Sequence, residues 1–208
     1  MTLPTNYSWS LTGKAVSVPY EAPQGRRVNA LGGYFSHGPL SGKLVTELYV
    51  SLPKSKAKNP RKSPAQMALS HGLSFEEADR VGPITSERFV DFLWELSGRP
   101  EKARHGWRRK RPLVVVLDNY SVHSSQLVDE ATEALNAANV FLFYLPSYSP
   151  ELSDIEPIWN SVKHYSMIRR SYETAGDLMH AVDTSLMQKA NELQAIKNKS
   201  DNLLRHST

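Results

Sequence analysis

The stretch Leu113–His123, LVVVLDNYSVH, decides the fold class, because an uninterrupted apolar run ends directly at an acid. Leu113–Leu117 is rich in β-branched side chains and predicts a strand buried on both faces, as in a sheet covered by helices. Val140–Leu145, VFLFYL, predicts a second buried strand of the same kind. Ser124 and Ser125 can cap a helix between the two strands. The apolar stripe of that helix is Leu127, Val128, Ala131, Leu135 and Ala138.

A strand, a helix and a strand at this spacing predict a βαβ unit, with parallel strands and a right-handed crossover. Asp118 follows the first strand and Pro146 follows the second. Both residues are therefore expected at the carboxyl edge of the sheet, where open α/β sheets place their sites. The loop Ser147–Ile155 can fold back towards Asp118. A helix is expected to begin near Pro157, since proline suits the first helical turn.

The segments upstream complete the prediction of an α/β fold. Val28–Phe35 and Leu44–Val50 predict a hairpin, because turn residues join them. Residues 52–82 show no clear period and are expected to be irregular. Thr85 is the predicted N-cap of a helix that ends at Gly98. The apolar face of this helix is Phe89, Phe92, Leu93 and Leu96.

The C-terminal part predicts one amphipathic helix. Thr174 and Asp177 fit a capping box at its start. Apolar residues follow at helical spacing, and the face they form is interpreted either as packing or as a partner surface. They are Leu178, Val182, Leu186, Ala190 and Leu193.

Composition excludes several classes of protein. The chain has 208 residues, 40% hydrophobic and 22% charged, as expected of a globular domain rather than a disordered segment. No apolar run reaches the roughly 20 residues of a transmembrane helix, and the N-terminus lacks the layout of a signal peptide. The lack of cysteine excludes disulfides and thiolate metal sites. A cytoplasmic location is therefore expected.

The net charge is only +4, but the basic residues are clustered. Lys54–Lys62 contains five basic residues and no acidic residue. Arg99–Arg111 contains seven basic residues and one acidic residue. Such clusters suit the phosphate backbone of DNA, and a solvated loop is the alternative interpretation. The candidate DNA-binding residues are Lys54, Lys56, Lys58, Arg61, Lys62, Arg108, Arg109, Lys110 and Arg111.

Asp118 and Glu156 are the candidate metal ligands. A carboxylate at the end of an apolar strand needs a partner, so Asp118 makes an Asx-turn, caps the next helix or binds a cation. Glu156 also fits a capping box, but the proline after it keeps its backbone out of the α region and favours a fixed position before the helix. Glu151 and Asp154 are the rival acids.

Two carboxylates at neighbouring strand ends suit magnesium, which takes oxygen ligands and leaves positions for water and substrate phosphates. A pair of ions about 4 Å apart can activate an attacking oxygen and stabilise a leaving one in phosphoryl transfer. The pattern therefore predicts a site for Mg²⁺ (or Mn²⁺). His123, as a lone histidine near a helix start, is interpreted as structural rather than catalytic.

Two motifs carry a resemblance to a known family. LDNYSVH (Leu117–His123) and YLPSYSPELSDIEPIWNSVK (Tyr144–Lys163) resemble the catalytic core of the DDE transposases, in particular the mariner-like group and its bacterial insertion-sequence relatives. GRRVNALGGYF (Gly25–Phe35) resembles the second strand of that family. The similarity extends over residues 7–185.

The resemblance implies an RNase H-like fold, a mixed five-stranded sheet flanked by helices. The catalytic domain would span residues 1–185, with an irregular insertion at 52–82, and a helical tail would span 186–208. The implied activity is cutting and joining of DNA at insertion-sequence ends with two metal ions. An active protein would be nucleoid-associated.

Residue roles follow from the match to the motifs. Thirty-seven residues lie between Asp118 and Glu156, within the range of the group. The resemblance implies that Asp118 is the second metal-binding acid and Glu156 the third, with Asn119 and His123 as supporting residues. The prolines of the second motif would shape the loop, and Trp159 would anchor the helix after it.

One part of the family pattern has no counterpart. The family carries a first aspartate on a central strand, which should precede Trp9, yet MTLPTNYS before it contains no acid and the first aspartate is Asp79. Without that strand, Leu113–Leu117 would have an open edge that pairs with another chain. We therefore expect self-association or an upstream-encoded partner fragment. The chain would be the second half of a two-frame element or a decayed remnant.

Two other functions are compatible with the same residues. A DNA-binding transposase remnant without catalysis needs only the basic clusters. A metal-dependent hydrolase of small phosphate substrates needs only the carboxylates.

Overall fold

The computed structural model describes residues 12, 14, 27–51, 63–147, 149–167 and 172–205. They form a mixed α/β structure of strands and helices in alternating groups. The elements in chain order are β1 (Arg27–Tyr34), β2 (Leu44–Ser51), α1 (Pro64–Ser70), α2 (Ser86–Ser97), β3 (Leu113–Leu117), α3 (Gln126–Ala137), β4 (Val140–Tyr144), α4 (Glu156–Ser161) and α5 (Ala175–Arg205). Short 3₁₀ turns lie at Ala78–Arg80 and Pro150–Leu152, and a π-helical turn, Val162–Ser166, follows α4.

The predicted hairpin is confirmed. β1 and β2 pair in a two-stranded sheet. The Phe35 N–H donates to the Lys43 carbonyl over 2.9 Å, and the Gly42 N–H donates to the Phe35 carbonyl over 2.8 Å. Gly38 and Gly42 have φ of 81° and 83°, which glycine adopts without strain. These two glycines let the connection reverse the chain direction.

The predicted βαβ unit is also confirmed. β3 and β4 are parallel, in a register that runs from Leu113 opposite Val140 to Leu117 opposite Tyr144. The intervening helix α3 packs on β4. Its residue Val128 is completely buried. Parallel pairing brings the carboxyl ends of both strands to one edge, as predicted.

The prediction that β3 and β4 are buried on both faces is wrong. Val114 and Val116 are 58% and 51% exposed, and Phe141 and Phe143 are exposed as well. The register sets Val114 opposite Phe141 and Val116 opposite Phe143, so all four lie on one face. The described residues leave that face to solvent. A strand of continuous apolar residues looks the same in sequence whether one face or both are covered.

Helix α2 follows its prediction closely. The Thr85 hydroxyl accepts from the Arg88 N–H over 3.4 Å, and Gly98 ends the helix with φ of 70°. The four predicted apolar residues, Phe89, Phe92, Leu93 and Leu96, are all buried.

The segment predicted to be irregular contains a helix. Ser63 accepts a hydrogen bond from the Gln66 N–H, and the Gln66 side chain accepts one from the Ser63 N–H, which completes a capping box ahead of α1. This helix has seven residues and buries Ala68 fully. About two turns, at 3.6 residues per turn, are too short to produce a recognisable apolar period. Lys54–Lys62 lies outside the described residues.

Helix α3 departs from its prediction at the N-terminus. Ser125 occupies the N-cap position, but its hydroxyl makes no capping hydrogen bond and is buried without a partner among the described residues. Leu127, predicted to be on the apolar stripe, is exposed, whereas Val128, Leu135 and Ala138 are buried.

The described residues fall into two compact units. The first takes in those within 1–29, 48–83 and 160–187. Its buried side chains include Val50, Leu73, Val162, Met179, Val182 and Leu186. The second takes in those within 30–47, 84–159 and 188–208. Its core includes Leu31, Phe92, Leu93, Leu117, Leu135 and Val140.

The C-terminal helix α5 has the predicted capping box. The Thr174 N–H donates to Asp177 Oδ2 over 2.9 Å, and the Asp177 N–H donates to the Thr174 hydroxyl over 3.0 Å. The helix continues without interruption for 31 residues. None of the described helices has the length and apolar character to cross a bilayer.

Candidate active site at the strand ends

A cavity of about 640 Å³ lies at the carboxyl ends of β3 and β4, within the second unit. Asp118, Asn119, His123 and Glu156 all line it. Its apolar walls include Leu31, Phe89, Phe92, Leu117, Ile155 and Trp159. The structure therefore brings together the two acids and both supporting residues that the sequence singled out.

Asp118 sits one residue beyond β3, and its side chain is 63% exposed. Its Oδ1 accepts a hydrogen bond from the Tyr120 backbone N–H over 3.1 Å, which is the Asx-turn considered from sequence. The same oxygen lies 2.7 Å from His123 Nδ1. An Asx-turn uses one carboxylate oxygen, so it does not prevent Asp118 from binding a cation through the other.

His123 is held in place by its surroundings. Its ring lies against Phe89, with centroids 4.3 Å apart, and its side chain is only 18% exposed. The Tyr144 hydroxyl donates to the His123 carbonyl over 2.7 Å. Burial, together with the nearby Asp129 carboxylate, raises the pKa of Tyr144, so this phenol remains a donor.

Asn119 ties the two strand ends together. Its Nδ2 donates to the Leu145 carbonyl over 2.6 Å, and the Leu145 N–H donates to the Leu117 carbonyl over 2.8 Å. The end of β3 is thereby joined to the residue after β4. Asn119 thus fixes the position of the strand ends from which the loops carrying Asp118 and Glu156 depart.

Glu156 is the first residue of α4 and is half-buried. Its side chain makes no hydrogen bond or ion pair within the described part of the chain. The capping box with Ser153 is not formed, because the Ser153 N–H donates to the Pro150 carbonyl over 3.0 Å. The carboxylate is therefore available to the cavity that it lines.

The rival acids occupy other positions. Asp154 is exposed and lines a neighbouring cavity of about 490 Å³. Glu151 is exposed and lines neither of these two cavities. Of the three acids of this loop, Glu156 alone lines the cavity that Asp118 lines.

Gly32 is a site residue that the sequence reasoning missed. It lies in β1, and the space beside its Cα is filled by the Trp159 indole and Ile155. The helix that begins with Glu156 can approach β1 this closely because residue 32 has no side chain. The only sequence signal was an adjacent glycine pair inside a strand, which marks a close approach of another element.

The basic residues that are described divide into two kinds. Arg108, Lys110 and Arg111 are exposed. Arg109 is half-buried, and its guanidinium donates to the carbonyls of Ser97 and Arg111. Three of the four thus have free access to solvent, while Arg109 has a structural partner. The five candidates in Lys54–Lys62 lie outside the described residues.

The donor set fits a hard divalent cation with few protein ligands. Two carboxylates, Asp118 and Glu156, open into one cavity. Within the described ranges, no group of three or more His, Cys, Asp or Glu side chains is arranged to hold an ion. Magnesium is commonly bound by one or two carboxylates together with water and substrate phosphates. Two carboxylates are therefore enough protein ligands, and of the right chemical type, for this ion.

Comparison with known proteins gives one match. No curated protein matches the chain. A family described as DDE superfamily endonuclease matches residues 64–179, which is more than half of the 208 residues. The matched segment contains the cavity residues Asp118, Asn119, His123 and Glu156. The chain therefore belongs to the DDE superfamily endonucleases.

Proposed function

We propose that this chain is the catalytic domain of a DDE transposase that cuts and joins DNA at insertion-sequence ends by two-metal phosphoryl transfer. The observation that carries the proposal is the shared cavity: Asp118, directly after β3, and Glu156, at the start of α4, both line it. Membership of an endonuclease family makes DNA the substrate class. The protein would act in the cytoplasm, associated with the nucleoid.

In this proposal Asp118 and Glu156 hold Mg²⁺ or Mn²⁺. The metal would supply activation of the attacking oxygen and charge stabilisation of the leaving one. Asn119 keeps the two strand ends in register through its bond to the Leu145 carbonyl. The 3₁₀ turn Pro150–Leu152 shapes the loop that leads to Glu156. Exposed basic side chains, among them Arg108, bind the phosphate backbone.

We further propose that the domain is RNase H-like, with a place for another strand between β1 and β3. The neighbouring cavity of about 490 Å³ supports this, because both Gly32–Gly38 and the whole of β3 line it. Among the described residues, the edge of β3 opposite β4 pairs with no strand. Such an edge binds a further strand, from a second copy or from an upstream-encoded fragment. A monodisperse monomer with a single cooperative melting transition would contradict this expectation.

Nicking of supercoiled plasmid DNA by the full chain in the presence of Mg²⁺ or Mn²⁺ tests the function. Asp118→Ala and Glu156→Ala should each reduce nicking to background, as should EDTA. Asp154→Ala and Glu151→Ala are matched controls, since these acids belong to the same loop but do not line the cavity. Nicking retained in either cavity variant would remove the assigned roles.

The second candidate is a DNA-binding protein without catalysis. It is favoured by the exposure of Arg108, Lys110 and Arg111, since binding of the phosphate backbone needs these side chains and no metal. DNA binding that survives both Asp118→Ala and EDTA, with no nicking by the unmodified chain, would select this alternative. Turnover of a small phosphate ester without DNA would instead select a phosphohydrolase.

A further inference from the structure

We propose that Tyr120 binds an unpaired nucleobase of the DNA, next to the phosphate that is cut, by stacking its ring on that base. The inference rests on the nuclease function proposed above and names the form of DNA that the site accepts, which is a strand whose base at this position is unpaired. Tyr120 is a substrate-binding residue in this role, and the face of its ring, not its hydroxyl, makes the contact.

The side chain of Tyr120 is an exposed aromatic ring at the candidate site. It lines the same cavity as Asp118, and it is 61% exposed. The phenylalanine and tryptophan side chains of that cavity are less accessible, since Phe89 and Phe92 are buried and Trp159 is half-buried. A single exposed aromatic residue is ordinary on a protein surface. One beside a candidate metal ligand is placed to contact the substrate.

The contact that Tyr120 makes with a neighbouring ring leaves it free to stack. The imidazole of His123 meets it at an interplanar angle of 73°, with centroids 5.9 Å apart. In such a perpendicular contact the edge of one ring points at the face of the other, so at most one face of Tyr120 is covered. The other face is open to solvent, which agrees with the high exposure. An open aromatic face is what a nucleobase needs in order to stack.

The backbone of Tyr120 is fixed close to Asp118. Its N–H donates to Asp118 Oδ1 over 3.1 Å, and its carbonyl accepts from the His123 N–H over 2.8 Å. Two residues span at most about 7 Å, so the ring begins within that distance of the proposed metal ligand. A strand of DNA advances about 3.4 Å per nucleotide. The bases on either side of a phosphate held at Asp118 are therefore within reach of the ring.

The charge of the cavity favours stacking over ionic contacts. Its described lining includes the carboxylates of Asp118 and Glu156 and no lysine or arginine. Apart from metal ligation, a DNA strand is therefore held here by hydrogen bonds and by stacking. Bases inside a duplex already stack on both neighbours, so a protein ring gains access only to a base that has left the stack. The cavity should therefore prefer an unpaired base.

Fluorescence anisotropy of labelled oligonucleotides with the full chain in Mg²⁺ tests the preference, with a single strand compared with a duplex of equal length. Tyr120→Leu retains an apolar side chain but has no aromatic face. It should weaken binding of the single strand about 10-fold and binding of the duplex less than about 2-fold. Tyr120→Phe, which keeps the face, should restore the single-strand affinity. Phe75→Leu is the matched control, because Phe75 is 70% exposed and does not line the cavity.

A fluorescent base gives a direct readout of stacking. The probe is a short single strand with one 2-aminopurine between abasic positions, so that the neighbours of this base in the strand do not quench it. Saturation with the unmodified chain or with Tyr120→Phe should quench its emission, because the base stacks on the ring. Saturation with Tyr120→Leu should leave most of the emission.

Three results overturn the stacking role. They are equal single-strand affinity in Tyr120→Leu and the unmodified chain, equal quenching by these two proteins, and a loss in Tyr120→Phe as large as that in Tyr120→Leu. If nicking depends on Asp118 but one of these results is found, only this inference is wrong. If the unmodified chain neither binds DNA nor nicks it in Mg²⁺, the proposed function is wrong and the inference falls with it. Retained duplex binding shows that Tyr120→Leu is folded.

Discussion

The indole ring of Trp159 in α4 occupies the space that a side chain on Gly32 of β1 would need. A Cβ on residue 32 would collide with two ring carbons of Trp159 and would come within 3.0 Å of Ile155 Cδ1. The helix that begins with Glu156 thus packs directly against a strand more than a hundred residues earlier in the chain. A glycine remote in sequence therefore helps to place a candidate metal ligand.

Gly32→Ala should lower the free energy of unfolding by about 1–3 kcal/mol, because an overpacked contact with a rigid ring forces backbone movement. Gly33→Ala is the matched control. The atoms nearest its added Cβ belong to the Leu96 side chain, which can change rotamer more readily than an indole ring, so its cost should be smaller. Urea denaturation measures the free energy of unfolding of both variants. Trp159→Leu combined with Gly32→Ala should be less destabilised than the sum of the two single changes, and strict additivity would contradict the contact.

Ser125→Ala should be neutral or slightly stabilising, although alanine at an N-cap ordinarily costs about 1 kcal/mol. The reason is that the Ser125 hydroxyl is buried without a partner among the described residues. Thr174→Ala is the counterpart, since the Thr174 hydroxyl accepts from the Asp177 N–H over 3.0 Å. That change should cost about 1 kcal/mol. Thermal denaturation measures the stability of both variants. An equal loss of stability in the two would show that Ser125 does cap α3.

The basic segment before β3 should separate into DNA-binding and structural residues. Replacing Arg108, Lys110 and Arg111 together by alanine should weaken DNA binding and reduce the slope of log K against log salt by up to about 2.7, at about 0.9 per phosphate contact. Arg109→Ala should leave that slope nearly unchanged and instead lower stability by about 1–3 kcal/mol, because the Ser97 carbonyl loses its donor. Fluorescence anisotropy over a salt series measures the slopes. A slope unchanged in the triple variant would contradict the DNA-binding role.

Glu95→Gln should stabilise the protein at neutral pH. Burial and the neighbouring Glu47 raise the pKa of Glu95, with Lys43 opposing. A carboxyl whose pKa is higher in the folded state favours folding while it is protonated, and that contribution is lost as the pH rises through the folded pKa. Glutamine is never ionised, so the Tm should rise at pH 7 and change little at pH 4. Solvent screens this exposed side chain, which limits the rise to about 2 °C.

Glu87→Gln, in the first turn of the same helix, is the control of opposite sign. A hydrogen bond from the Thr85 hydroxyl, followed by one from its own backbone N–H, lowers the pKa of Glu87. The stabilisation that ionised Glu87 gives to the folded state is present at neutral pH and is lost as the pH falls through the folded pKa. The Tm of Glu87→Gln should therefore fall at pH 7. A fall in both variants would show that Glu95 is not destabilised by its surroundings.

Sequence reasoning succeeded where the signal was local. Phe89, Phe92, Leu93 and Leu96 recur at helical spacing, and all four are buried as predicted. Sequence reasoning failed where a packing neighbour decides whether a side chain is buried. Val114 and Val116 have the same composition as a doubly buried strand, yet one face of β3 is exposed. Helix α1 was missed because seven residues with a single buried side chain carry no period.

By itself, the sequence determined the order of strands and helices from Thr85 to Glu156 and the pairing of motifs that belong to an endonuclease family. These features depend on side chains close together in the chain, such as the apolar run of β3 followed at once by Asp118. The tertiary structure alone decided that Asp118 and Glu156 share a cavity and that Gly32 makes room for Trp159. Each of these depends on distances between residues whose separation along the chain says nothing about how closely their elements pack.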